Sequence, residues 1–199
     1  MKIIIVGGTG TVGKAVTQAL SSHDIITVGH QHGDIQADIT DVQSIEKMYQ
    51  SVGAFDALVS ATGSVPFAPL TELTLADYNK GLQDKLMGQI SLVLMGMKYI
   101  NEAGSFTLTS GILNYDPIRQ GSVASMVNGG IEGFVRSAAI ELPKNIRINA
   151  VSPTVLMESM DKFGPYFSGF EPVLASRVAL AYLKSVDGAQ TGQIYRVWK

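Results

Sequence analysis

The chain has no cysteine, one tryptophan and only three histidines among its 199 residues. Without cysteine there are no disulfides, no thiolate nucleophile and no zinc–thiolate centre. The histidines all fall between positions 23 and 32, and no Gly-x-Ser-x-Gly turn occurs, so a Ser-His-Asp hydrolase is disfavoured. His30 and His32 have no further ligand clustered with them, and no metal site is expected. Charge is also sparse. Fifteen basic residues face seventeen acidic ones, with a net charge of −2 and no basic stripe. Nucleic acid and anionic membrane are therefore not expected as partners. Long apolar runs are missing too. Ile3 to Val6 is too short for a signal-peptide core, and Ile90 to Met97 is too short to span a bilayer. These absences, with 46% apolar content, lead to the expectation of one cytoplasmic domain over 1–199.

What the chain does have is glycine in a telling place. Ile3-Ile4-Ile5-Val6 reads as a parallel strand covered on both faces, and Gly7, Gly10 and Gly13 follow it three apart, leading into a helical pattern that ends near Leu20. In such a strand–turn–helix unit the first glycine permits the tight turn. The second lets backbone approach a pyrophosphate, and the third lets the helix pack closely on the strand. The helix N-terminus then offers unpaired N–H groups to an anion.

Strands and helices alternate from there. Strands are expected at Ile25 to Val28, Ile35 to Ala37, Phe55 to Ser60, Ser105 to Thr109, Ile146 to Val151 and Gln193 to Val197. Helices are expected from Asp41 to Ser51, from a capping box at Thr74-Leu-Ala-Asp77 toward Asn101, from Ser122 to Leu142, and from Pro172 to Ser185. This alternation predicts an α/β fold, a doubly wound parallel sheet of about seven strands with helices on both faces. Ligands of such sheets bind at the carboxyl ends of the strands.

The residues at those ends form a recognisable series. Gly7-x-x-Gly10-x-x-Gly13, Asp38-Ile39-Thr40-Asp41, Ser60-Ala61-Thr62-Gly63, Ile146 through Pro153 (Ile-Arg-Ile-Asn-Ala-Val-Ser-Pro) and Thr191-Gly192-Gln193 resemble, in order and spacing, the short-chain dehydrogenase/reductase family over nearly the whole chain. The glycine spacing is nearer to the extended and atypical branches, and the segment from Asn149 to Pro153 to the common form. The resemblance implies a Rossmann fold, a nicotinamide dinucleotide and a homo-dimer or homo-tetramer. Residues Gly7, Thr9, Gly10, Thr11, Val12 and Gly13 would form the phosphate turn. Asp38 and Ile39 would meet the adenine, although an aspartate there also suits a turn. Ser60, Ala61 and Gly63 would lie beside the adenosine ribose, and Pro153 and Val155 beside the nicotinamide. No carboxylate follows the second strand to grip a ribose 2′-hydroxyl, and His30 stands where phosphate-selecting relatives carry arginine, so NADP is expected over NAD.

The resemblance breaks at the catalytic positions. Ser110 fits the family's serine, but aligning Gly133-Phe134 with the family's helix puts Ala124 at the tyrosine and Asn128 at the lysine of Tyr-x-x-x-Lys. The family's asparagine on the preceding helix is here Lys85, so lysine and asparagine have exchanged helices. Lys85 shares a helical stripe with Tyr78, Gly81, Leu82, Gly88 and Leu92 and has no carboxylate three or four residues away. Lys85 is thus expected to reach the nicotinamide ribose, touch Asn128 and, with a lowered pKa, donate the proton itself. Tyr115 is a weaker candidate, read as a surface-loop residue. The aromatic segment within about 155–171 is expected to act either as a lid over an apolar substrate or as a plug. Gly129, Gly130 and Gly133 inside the Ser122 helix call for a close contact, within the chain or between subunits. Two functions follow: an oxidoreductase moving a hydride between NADP and a small carbonyl or alcohol, or a dinucleotide-binding sensor that has lost the chemistry.

Overall fold

The computed structural model describes residues 1–199. Strands β1 (Lys2–Val6), β2 (Asp24–Gly29), β3 (Ile35–Gln36), β4 (Phe55–Ser60), β5 (Ile100–Thr109), β6 (Arg147–Pro153) and β7 (Ile194–Val197) form one parallel sheet in the order β3-β2-β1-β4-β5-β6-β7. Successive side chains point to opposite faces and both faces are covered, so β1 is apolar from Ile3 to Val6. Ile4 and Val6 belong to the core beneath helices α2 (Val42–Val52), α4 (Gly88–Gly96) and α5 (Ser122–Glu141). Ile3 and Ile5 face the opposite layer, with α1 (Thr11–Ala19) and α7 (Ala175–Asp187), the helix after the one-turn α6 (Met160–Phe163). The strand order reverses between β1 and β4, which opens a crevice at their carboxyl ends. No helix is long and apolar enough to cross a membrane.

Most elements lie where the sequence puts them, including the Asp41 cap of α2 and the Thr74–Asp77 capping box of α3 (Leu75–Gly81). Three depart from expectation. The long helix opening at Thr74 is not continuous, because a π-helical turn over Leu82–Met87 separates α3 from α4. A π register displaces a carbonyl from its usual partner. Here Gln89, fully buried, donates from Nε2 to the Lys85 carbonyl at 3.0 Å and anchors it to β5 through Thr109. Strand β5 starts five residues early, at Ile100, and its pairing with β4 is irregular between Phe55 and Ala57. Helix α7 starts at Ala175 rather than at Pro172, because Val173 bridges to Leu156 and the Glu158 carboxylate accepts from the Ala175 N–H.

Candidate active site

Two cavities meet at the carboxyl edge of the sheet. The first, about 610 Å³, lies over β1 and β2 and is lined by Gly7, Thr9, Gly10, His30, Asp38, Ile39 and Ala61, among others. The second, about 630 Å³, lies over β5 and β6 and is lined by Lys85, Ser110, Asn128, Pro153 and Val155 with an apolar wall. Gly63 and Ser64 line both, so the two form one continuous cleft.

The first cavity is shaped by backbone. Gly7 has φ +83°, and a Cβ there would stand 2.6 Å from the Ala61 carbonyl oxygen. A Cβ on Gly13 would overlap the Gly7 carbonyl, which is how α1 comes to start hard against the turn. Gly10 is different: its nearest neighbour would be 3.4 Å away, so its outer side is open. No side chain caps α1, and its first N–H groups face that opening. Thr11 and Val12 complete the first turn behind it. They do not line the cavity, and neither do Gly13 and Ser60. Ser60 is fully buried at the end of β4, and its Oγ has no partner.

Asp38 performs the turn role and lines the cavity as well. Its Oδ1 accepts from the Thr40 N–H at 2.8 Å and the Thr40 hydroxyl at 2.7 Å, and these bonds hold the carboxyl below its ordinary range. Its Oδ2 faces His30 Nε2 at 3.8 Å. His30 is 71% exposed, and neither arginine nor lysine lines this cavity.

The second cavity is shaped by side chains. Lys85 sits in the π turn with its stem packed on Gly63, where a Cβ would lie 2.7 Å from the lysine Cγ; with φ +110°, Gly63 is the residue that makes room for it. The ammonium donates to the Ser110 carbonyl at 3.2 Å. It does not bond to Asn128, contrary to the expected contact. Both nonetheless open on the same cavity. Burial pushes the Lys85 ammonium down to about 8, with the neighbouring Asp84 acting weakly the other way. Asn128 is 2% exposed and its Oδ1 has no partner. Ala124, one turn earlier on α5, lines the same wall, so α5 presents no acid here.

Sequence reasoning missed Glu132. This carboxylate is 1% exposed on α5 and takes hydrogen bonds from Ser110 Oγ at 3.3 Å, Tyr115 at 3.0 Å and Arg136 at 2.8 Å. Its spacing to Arg136, four residues on, was the available signal. Tyr115 does not line the cavity; it is 43% exposed, and its ring is covered by the Arg196 guanidinium. The aromatic segment walls the cavity and leaves it open. Phe163, Tyr166 and Phe167 line one side, with Phe163 and Tyr166 packed on Phe67.

Comparison with known proteins follows the same outline. The short-chain dehydrogenase/reductase model described as enoyl-(acyl carrier protein) reductase matches residues 11–195. The chain belongs to the short-chain dehydrogenase/reductase family. Members of this family are typically oxidoreductases. Among solved structures, the protein lin1944 from Listeria innocua is 54% identical over the full length of both chains, with a TM-score of 0.98. A small-chain dehydrogenase in complex with NADPH is 26% identical, with a TM-score of 0.89, covering 99% of this chain and 96% of the other. Hydroxynaphthalene reductase arp2 from Aspergillus fumigatus is 30% identical over 141 residues, 68% of this chain, which spans about half (52%) of that protein's length. Human L-xylulose reductase is 24% identical over 178 residues, 80% of this chain and 73% of the other.

Proposed function

We propose that the chain is an NADP-dependent reductase or dehydrogenase acting on a small, fairly apolar carbonyl or alcohol, with Lys85 as the proton donor. The observation that carries this reading is a half-buried lysine, lowered to about 8, that opens on an apolar-walled cavity next to a glycine-lined cleft. The residues present fit a nicotinamide dinucleotide. Gly10 leaves space for a pyrophosphate over the α1 N-terminus, and the orphaned Asn128 Oδ1 wants a donor such as a ribose hydroxyl. The phosphate turn would hold the pyrophosphate, Asp38 and Ile39 the adenine, Ala61 and Gly63 the adenosine ribose, and Pro153 and Val155 the nicotinamide. His30, the one basic side chain in the first cavity, supports NADP over NAD, as does the NADPH complex of the related dehydrogenase.

When bound, the dinucleotide supplies the hydride, and the remaining work falls to the chain. Reduction of a carbonyl leaves an alkoxide that needs a proton. A positioned donor is worth roughly 10²–10⁴-fold. Lys85, held close to neutrality by burial, is matched to that task near physiological pH, and its bond to the Ser110 carbonyl fixes where the proton points. In this reading lysine and asparagine have exchanged helices: Lys85 comes from the π turn, while Asn128 takes the family lysine's place on α5. The apolar wall of Phe67, Phe163 and Phe167 excludes water and selects an apolar substrate body.

A sensor on the same fold is the second reading, supported by α5, which lines the cavity with Ala124 and Asn128 and with no acid. The open cavity favours the enzyme. The test is NADPH and NADH binding by fluorescence, followed by oxidation of the bound cofactor with a carbonyl panel. Turnover that Lys85→Ala abolishes supports the reductase, and tight binding without turnover on any carbonyl supports the sensor.

We further infer a homo-oligomer built on α5. Gly130 is explained within the chain, since a Cβ there would meet Leu86 at 2.8 Å, but Gly133 faces open space. Met126, Gly133 and Ile140 recur every seven residues on one face, and Met126 and Ile140 are 39% and 86% exposed.

A further inference from the structure

Glu132 plays no part in the chemistry above, yet a carboxylate 1% exposed must have its lone pairs satisfied. Three groups reach it, and the arginine sets the direction of each bond. Arg136 has no acceptor atom, so its Nη2 donates both to Glu132 Oε2 at 2.8 Å and to the Tyr115 hydroxyl oxygen at 3.2 Å. With its oxygen accepting from Arg136, Tyr115 turns its own proton to Glu132 Oε2. Oε1 is left to Ser110 Oγ, and an ion-paired carboxylate only accepts. A serine hydroxyl has a single proton. That of Ser110 is spent on Glu132, behind the wall of the cavity.

We infer that Glu132 fixes the hydrogen-bond polarity of Ser110, so that Ser110 meets the ligand as an acceptor and the cavity selects compounds carrying a hydroxyl donor. The Lys85 ammonium, bonded to the carbonyl oxygen of Ser110, stands on the same residue as a donor. A donor held on the Ser110 backbone and an acceptor on its side chain, in one cavity, match a hydroxy-carbonyl group, the carbonyl oxygen toward Lys85 and the adjacent hydroxyl toward Ser110 Oγ. A simple ketone satisfies only the first and leaves the Ser110 lone pairs without a partner. Glu132 does this as a positioning residue, acting through Ser110. The inference deepens the functional reading above, since it concerns the same cavity.

The aromatic wall suggests the probe pair, 2-hydroxyacetophenone and acetophenone, which differ by one hydroxyl. Each is titrated into the protein with and without NADP⁺, following Trp198 fluorescence, under conditions where no reduction can occur. Wild type should bind the hydroxyketone about fivefold to tenfold more tightly than the ketone. Glu132→Gln turns an amide N–H toward Ser110 Oγ and releases the serine proton into the cavity, so the preference should vanish or invert. Ser110→Ala, a smaller change that does not disturb the Arg136 pair, should bind the two ketones alike. Equal binding of the pair by wild type overturns the inference, as does a preference that survives Ser110→Ala. Failure of NADP⁺ to bind would overturn the dinucleotide reading instead, and the unloaded titration would still decide the polarity of Ser110.

Discussion

The two halves of the cleft are made of different materials. Over β1 and β2 the surface is backbone: glycines whose missing side chains set the turn, and the free N-terminus of α1. Over β5 and β6 it is side chains contributed by separate elements: the π turn, the ends of β5 and β6, α5 and the aromatic segment that follows β6. A backbone site tolerates little substitution and keeps a fixed sequence signature. A side-chain site can draw its groups from neighbouring elements, as Lys85 and Asn128 do in opening on the same space.

If the halves carry separate duties, damage to them should separate as well. The largest effect belongs to Lys85→Ala, which should lower turnover roughly 10²–10⁴-fold, with NADPH affinity within about threefold of wild type; fluorescence titration beside steady-state rates checks both. Gly13→Ala should do the reverse. Its Cβ would overlap the Gly7 carbonyl, so NADPH affinity should fall by tenfold or more and stability by about 1–3 kcal/mol, read by titration and by urea unfolding. His30→Asp places a carboxylate where a 2′-phosphate is expected and should weaken NADPH, relative to NADH, by about tenfold. Gly133→Arg lies outside the cleft and should leave the mass of the folded chain as a monomer in light scattering, with cofactor binding unchanged.

Lys85 makes a second, thermodynamic mark. Its ammonium is lowered from 10.5 to about 8, so between those values the unfolded chain holds more protons than the folded one. Stability should therefore rise with pH across that window, the burial penalty being fully present below about 8 and relieved above 10.5. Lys85→Met should remove the rise in thermal unfolding experiments.

The fold was legible because the signals were local. Four apolar residues before a glycine turn, caps at Asp41 and Thr74, and the small residues after β4 each act within a few positions. The candidate site was legible only in part. Lys85 stood out because its stripe carried no other charge and no acid sat three or four residues away. Its partner was misjudged, as the π turn rotates the ammonium to the Ser110 carbonyl, and no helical-wheel argument on a regular α-helix anticipates that register. Gln89 and Glu132 were missed for a related reason. On the sequence they are ordinary polar helix residues, and what makes them internal is long-range: Gln89 reaches Thr109, and Glu132 reaches Ser110 and Tyr115.

Assignment of the proton to Lys85 is tested most directly by the pH dependence of kcat/KM for carbonyl reduction. The protonated amine is the donor, so kcat/KM should hold steady below about 8 and fall about tenfold per pH unit above it. The falling limb should be absent from the residual activity of Lys85→Ala. A flat profile from pH 6 to 10, or a limb that survives in the variant, would contradict the account.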